Sequence, residues 1–190
     1  DSYLASISTW KNINLLLYKD MYKVNFSTQG GTDLESTNLA LYQIKEKSPD
    51  FIFVHLDEID GVGHSKGFGN TYTDAIEKMD KNIGNLLNET QLREKNNNED
   101  WLVILVTDHG RGKGGFGHGN QTLQEKTIFV GINKKGTFMF ENMEDKKPFK
   151  SIKRLEKHTP PQTVVVPTIL KYLGIPIKKE WRLDSHSIID

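Results

Sequence analysis

Apolar residues fall along the chain in three patterns. Phe51-Ile52-Phe53-Val54-His55-Leu56 and Trp101-Leu102-Val103-Ile104-Leu105-Val106 are nearly unbroken apolar runs of strand length, the mark of strands buried on both faces. Thr127–Ile132 reads as a third, shorter strand. Between the first two, Ala75, Ile76, Met79, Ile83, Leu86 and Leu87 recur at helical spacing, with Asp74, Glu77, Lys78 and Lys81 opposite. This predicts a helix from about Thr73 to Thr90 and a charged surface loop over Gln91–Asp100. Thr37–Lys47 fits a second amphipathic helix, ended by Ser48-Pro49, and Val166–Leu173 a late one, with Pro167 in its first turn and Gly174 as its stop. Trp10, Ile13, Leu16 and Leu17 give Leu4–Tyr18 a near-helical period, so one or two helices are expected there. Asn25–Ser36 and Asp57–Asn70 read as loops, and Lys134–Lys157 is basic and poorly patterned.

Strand, helix, strand, with each strand apolar on both sides, implies parallel pairing under covering helices, an α/β fold with a mainly parallel sheet. In such sheets the chemistry sits beyond the carboxyl ends of the strands. The first strand leads into Asp57-Glu58-Ile59-Asp60-Gly61-Val62-Gly63-His64-Ser65. The second leads into Thr107-Asp108-His109-Gly110, followed by Gly117-His118-Gly119. Asp and His are the oxygen and nitrogen donors that bind zinc or manganese where thiolates are absent. Asp60 and His64 can converge on one ion. Asp108 and His109 can both reach metal if the backbone turns at Gly110, and His118 is free to swing toward the same region. Asp57 and Glu58 are candidates to support a ligand from behind. His55 reads as a core histidine with a partner, and His158 and His186 as surface residues.

Composition narrows the classes. The 190 residues suit one domain, and 25 basic against 25 acidic residues give no bulk charge for nucleic acid or an anionic membrane. The absence of cysteine removes disulfides, iron–sulfur clusters, Cys-ligated zinc and thiol nucleophiles together. No apolar run reaches the ~18 residues of a membrane span. Sequons at Asn25, Asn88 and Asn120 are about what so Asn-rich a chain gives by chance. Gly110-Arg111-Gly112-Lys113-Gly114-Gly115 formally matches the dinucleotide fingerprint G-x-G-x-x-G. The sequel Phe116-Gly117-His118-Gly119-Asn120 is not the helix start that fingerprint needs.

At these residues the chain resembles the alkaline phosphatase superfamily, in particular its type I phosphodiesterase and nucleotide pyrophosphatase branch. Asp60-Gly61-Val62-Gly63-His64 matches D-x-x-G-H, and Thr107-Asp108-His109-Gly110 matches S/T-D-H-G. Gly115-Phe116-Gly117-His118-Gly119 resembles the family's Gly-flanked histidine, and Pro167–Ile175 its late P-T-I-L-x-x-L-G-I helix. The resemblance implies an alkaline phosphatase-like fold and a two-metal site, with zinc or else manganese. Asp60, His64 and His118 would hold one ion and Asp108 and His109 the other. It implies hydrolysis of a small-molecule phosphate ester, a diester or pyrophosphate before a monoester, and an extracytoplasmic setting. Sulfatases, phosphoglycerate mutases and ethanolamine-phosphate transferases of the same superfamily are the alternatives, and a non-catalytic metal-binding domain is a further one.

The family pattern also places a Ser or Thr nucleophile, and an Asp ending an earlier strand, well upstream of D-x-x-G-H. With 59 residues before Asp60, and Ser6, Ser8 and Thr9 in a helix-like stretch, residues 1–190 read as the C-terminal portion of a larger catalytic domain. Thr28 and Thr32 are weak candidates in a loop. The expected partner is the upstream half of the same domain, and the isolated chain is expected to be inactive.

Overall fold

The computed structural model describes residues 2–28, 30–137, 151 and 159–190. They form two compact units, residues 1–101 with 114–116 and residues 102–113 with 117–190. The architecture is α/β.

The first unit is built on a parallel sheet in the order β2-β1-β3, with β1 (Leu4–Ser8) between β2 (Phe26–Ser27) and β3 (Phe51–His55). Leu4 to Ser8 pair in register with Phe51 to His55. The helix expected from Leu4 is therefore a strand, followed by a five-residue helix α1 (Lys11–Leu15). The apolar period misleads because Ala5, Ser6 and Ser8 carry little hydrophobic signal, yet they and Ile7 are buried. Small side chains let α1 and α2 (Asp33–Lys47) both lie against β1. Buried Asn14 of α1 satisfies the polar strand: its Nδ2 donates to Ser6 O and Thr28 O, and its Oδ1 accepts from Ser6 Oγ. Leu16, part of the supposed apolar face, is 84% exposed.

α2 starts four residues before the expected Thr37, because Thr32 and Glu35 form a capping box inside the expected loop. The Asp57–Asn70 segment, also expected as a loop, contains α3 (Glu58–Lys66). α4 runs from Asn70 to Asn97, through much of the expected surface loop. Its charged end is held by Arg93, which bonds Glu99, Ser48 Oγ and the Lys45 carbonyl. Glu99 raises the Arg93 pKa and is itself held low by it. Residues 114–116 belong to this unit: Phe68 N donates to Gly114 O at 2.9 Å.

In the second unit β4 (Ile104–Val106) pairs antiparallel with β5 (Val130–Ile132). This corrects the parallel pairing expected of the second apolar run, and shortens both strands. A parallel crossover needs about a dozen residues or more, usually a helix. Here the only helix between the strands is the single turn α5 (Leu123–Lys126), and the loop folds back through Gly112 N to Gly117 O and Gly110 N to Glu125 O. The chain thus re-enters from the end it left. α6 (Val165–Tyr172) matches the expected late helix, and Gly174 follows at φ +67°. Its buried Thr168 accepts from Ile188 N, docking the chain's last residues. Most of Lys134–Lys157 lies outside the described residues. Among the described residues no helix is long and apolar enough to cross a membrane.

Two glycines test this packing in opposite directions. Gly67 has φ +65°, and a Cβ there would lie 2.5 Å from Gly114 O and 2.6 Å from the Phe116 ring. Gly67→Ala should cost about 1–3 kcal/mol. Gly84 lies mid-α4, and a Cβ there would meet nothing within 4 Å, so Gly84→Ala should stabilise by about 1 kcal/mol. Urea midpoints at unchanged m-value measure both, and equal effects would refute the assignment of Gly67 as a close-approach position.

Candidate functional site

In the first unit, the turn of α3 puts Asp60 and His64 on one face, four residues apart, with Asp60 Oδ2 3.2 Å from His64 Nε2. The other ring nitrogen, Nδ1, lies 2.9 Å from the Phe116 carbonyl oxygen. A carbonyl can only accept, so the proton of the neutral ring sits on Nδ1 and the Nε2 lone pair faces the carboxylate. Two electron-rich atoms held so close need a cation or a proton between them. Tetrahedral zinc with bonds of ~2.0–2.1 Å separates its ligand atoms by about 3.3 Å, so the pair has the spacing of one edge of that shell.

The second unit repeats the arrangement with adjacent residues. His109 Nδ1 lies 2.9 Å from the Gly110 carbonyl oxygen, and Nε2 lies 3.5 Å from Asp108 Oδ2. Gly110 is required by close approach rather than by a special φ: a Cβ there would lie 2.1 Å from Gln124 O. His118 stacks on His109 with ring centroids 3.6 Å apart and planes inclined by 21°.

Buried Glu125 anchors this loop. Its carboxylate accepts from Thr122 N, Thr122 Oγ1 and Asn120 Nδ2, and its backbone oxygen accepts from Gly110 N, beside His109. The Thr122 amide, first among these donors, holds the carboxyl below its ordinary range. Sequence reading missed Glu125, although Thr122-x-x-Glu125 is a readable capping box.

The remaining candidates have structural partners. Glu58 is ion-paired with Lys78 of α4 at 2.7 Å, and Asp57 Oδ1 is 4.0 Å from His55 Nε2. Ser8, His55 and Asp57 superficially line up as a nucleophilic triad. Ser8 is wholly buried, however, and its hydroxyl donates to Trp10 O, so it accepts from His55 Nδ1 at 3.3 Å. Ser6 and Thr9 donate to Asn14 and Asp33, Thr28 to Ser8 O, and Thr32 caps α2. None of Ser6, Ser8 and Thr9 lies in a helix; they occupy β1 and its carboxyl end. The formal dinucleotide fingerprint ends at Gly115, where Gly114 and Gly115 have φ +84° and +83°, and no helix starts there: the next, α5, begins at Leu123. His186 is exposed, and His158 lies outside the described residues.

The carbonyl contacts fix a proton position that nitrogen-15 correlation spectra of the imidazoles read directly. In protein given excess zinc, His64 and His109 should both keep a protonated Nδ1 while Nε2 carries no proton. A protonated Nε2 on either ring under those conditions would mean an ordinary hydrogen bond to the neighbouring carboxylate in place of a metal bond.

No curated protein matches the chain. Residues 5–187 match the family described as type I phosphodiesterase / nucleotide pyrophosphatase, which spans both units and all five Asp and His residues at the two strand ends. A match over that much of the sequence decides the question of kinship, and phosphoester hydrolysis is the chemistry it supports: the chain belongs to the type I phosphodiesterase / nucleotide pyrophosphatase family, within the alkaline phosphatase superfamily.

Proposed function

We propose that these residues serve metal-assisted hydrolysis of a phosphate diester or pyrophosphate, with two divalent ions, zinc before manganese. Asp60, His64 and His118 hold the first ion and Asp108 and His109 the second. The observation that carries this reading is the repeated arrangement: twice, a backbone carbonyl takes the Nδ1 proton and turns Nε2 toward an aspartate at 3.2–3.5 Å. A carbonyl or carboxylate behind a histidine is the common support of a metal-ligating imidazole, since it fixes the tautomer and raises ligand basicity.

His118 is assigned to the first ion from the family resemblance of its Gly-flanked motif, Gly117-His118-Gly119.

Bound at these residues, paired ions would activate the attacking oxygen, steady the leaving one and offset charge on the equatorial phosphoryl oxygens. The chain's own residues orient that chemistry. Phe116 O and Gly110 O hold the imidazoles in one tautomer, and the Glu125 capping box fixes the loop that carries His118. The hydroxyls of Ser6, Ser8 and Thr9 each donate to an internal acceptor, so no nucleophilic role is assigned to them.

Calorimetric titration of zinc should give two binding events. His64→Ala should remove one and His109→Ala the other, while His118→Ala should weaken the first by about 10-fold or more. In the natural protein, hydrolysis of a bis-aryl phosphate should be abolished by chelator, restored by zinc or manganese, and lowered at least ~10-fold by Asp60→Ala or Asp108→Ala. Turnover indifferent to chelation would contradict the reading.

A further inference from the structure

We propose that Asp33 is a positioning residue for the Asp60/His64 pair, acting through the amino end of α3; the inference rests on the metal reading above. α3 is weak by itself. It has nine residues, two of them Gly61 and Gly63, and such helices are marginal without tertiary support. Its N-cap residue, Asp57, makes no side-chain cap bond. The cap comes from elsewhere in the chain. Asp33 Oδ1 accepts from Asp57 N at 2.8 Å, and Oδ2 accepts from Glu58 N at 2.9 Å. Both oxygens are thus spent on the first amides of α3, and their negative charge faces the positive end of that helix.

The carboxylate is well placed to act as a fixed reference. It is 2% exposed and lies at the first position of α2, behind the Thr32/Glu35 capping box. Its Oδ1 also accepts from Thr9 Oγ1 at 2.8 Å, and Thr9 N donates to His55 O at 3.1 Å, so the carboxyl ends of β1 and β3 are tied to the same point. Asp60 begins only two residues beyond Glu58, and His64 stands one turn above Asp60. Fraying of the first turn of α3, which carries Asp60, would therefore move Oδ2 away from Nε2, and a tilt of the whole helix would draw His64 Nδ1 away from the Phe116 carbonyl that orients the ring. Asparagine cannot substitute: it has one acceptor oxygen where three donors converge, and its amide protons would confront one of the backbone N–H groups.

The test compares the full 190-residue chain with Asp33→Asn, with Thr9→Val, and with Ile44→Ala, a buried α2 substitution used as a control for general destabilisation. Zinc alone is the calorimetric probe. Asp33→Asn should weaken the Asp60/His64 event by about 10-fold or more and leave the Asp108/His109 event unchanged. Thr9→Val should do the same to a smaller extent, and serves if Asp33→Asn does not fold. Ile44→Ala should lower the urea midpoint without moving either affinity. Asp33→Asn affinity within twofold of the parent, or an equal loss in Ile44→Ala, would overturn the proposal. Amide exchange in metal-free protein separates this outcome from failure of the metal reading. Absence of zinc binding in the parent chain would sink that reading, whereas exchange across residues 60–66 should still quicken at least ~10-fold in Asp33→Asn beyond Ile44→Ala. Unchanged exchange there would sink the role of Asp33 by itself.

Discussion

A histidine Nε2 and a carboxylate oxygen set little more than 3 Å apart need a proton or a cation between them. Nε2 is available to a metal there only where Nδ1 holds its proton against another acceptor and the pair is held by the surrounding backbone. Both conditions are met twice, at His64 with Asp60 and at His109 with Asp108, by unrelated local structures: an i,i+4 helical pair in one case and adjacent residues beyond a strand in the other. Convergence of two different backbones on one spacing is what gives the metal reading its weight, beyond the bare presence of Asp and His.

Much of each unit serves to hold these pairs. In the first, a central strand of small and hydroxyl residues lets α1 and α2 pack against it, and Asn14 and Thr28 complete its hydrogen bonding. The buried carboxylate of Asp33 then gathers the ends of β1, β3 and α3. In the second, the Glu125 carboxylate gathers Asn120 and Thr122, just beyond His118, and its backbone carbonyl holds Gly110 beside His109. Buried charge of this kind is costly unless fully hydrogen-bonded, and each carboxylate accepts three hydrogen bonds.

The strand ends and the five candidate ligands were legible because apolar runs and Asp/His/Gly clusters are strong local signals. The late helix at Pro167 was legible through its breaker and stop. What escaped was structure whose cause is tertiary. β1 is hidden in Ala5, Ser6 and Ser8, residues that look polar but lie between layers. α3 is hidden by Gly61 and Gly63, because its cap comes from a residue far back in the chain. The antiparallel return of β5 depends on close backbone approach at Gly110, which no periodicity encodes. Asp33 itself looks like one more polar residue in a Gly-rich loop.

The most direct test of the account is anomalous scattering at the zinc absorption edge from crystals of the zinc-loaded protein. Two peaks are expected, one at ~2.0–2.2 Å from Asp60 Oδ2 and His64 Nε2, the other at the same distance from Asp108 Oδ2 and His109 Nε2. Zinc found away from both pairs, with each Nε2 instead donating a proton to its aspartate, would contradict it.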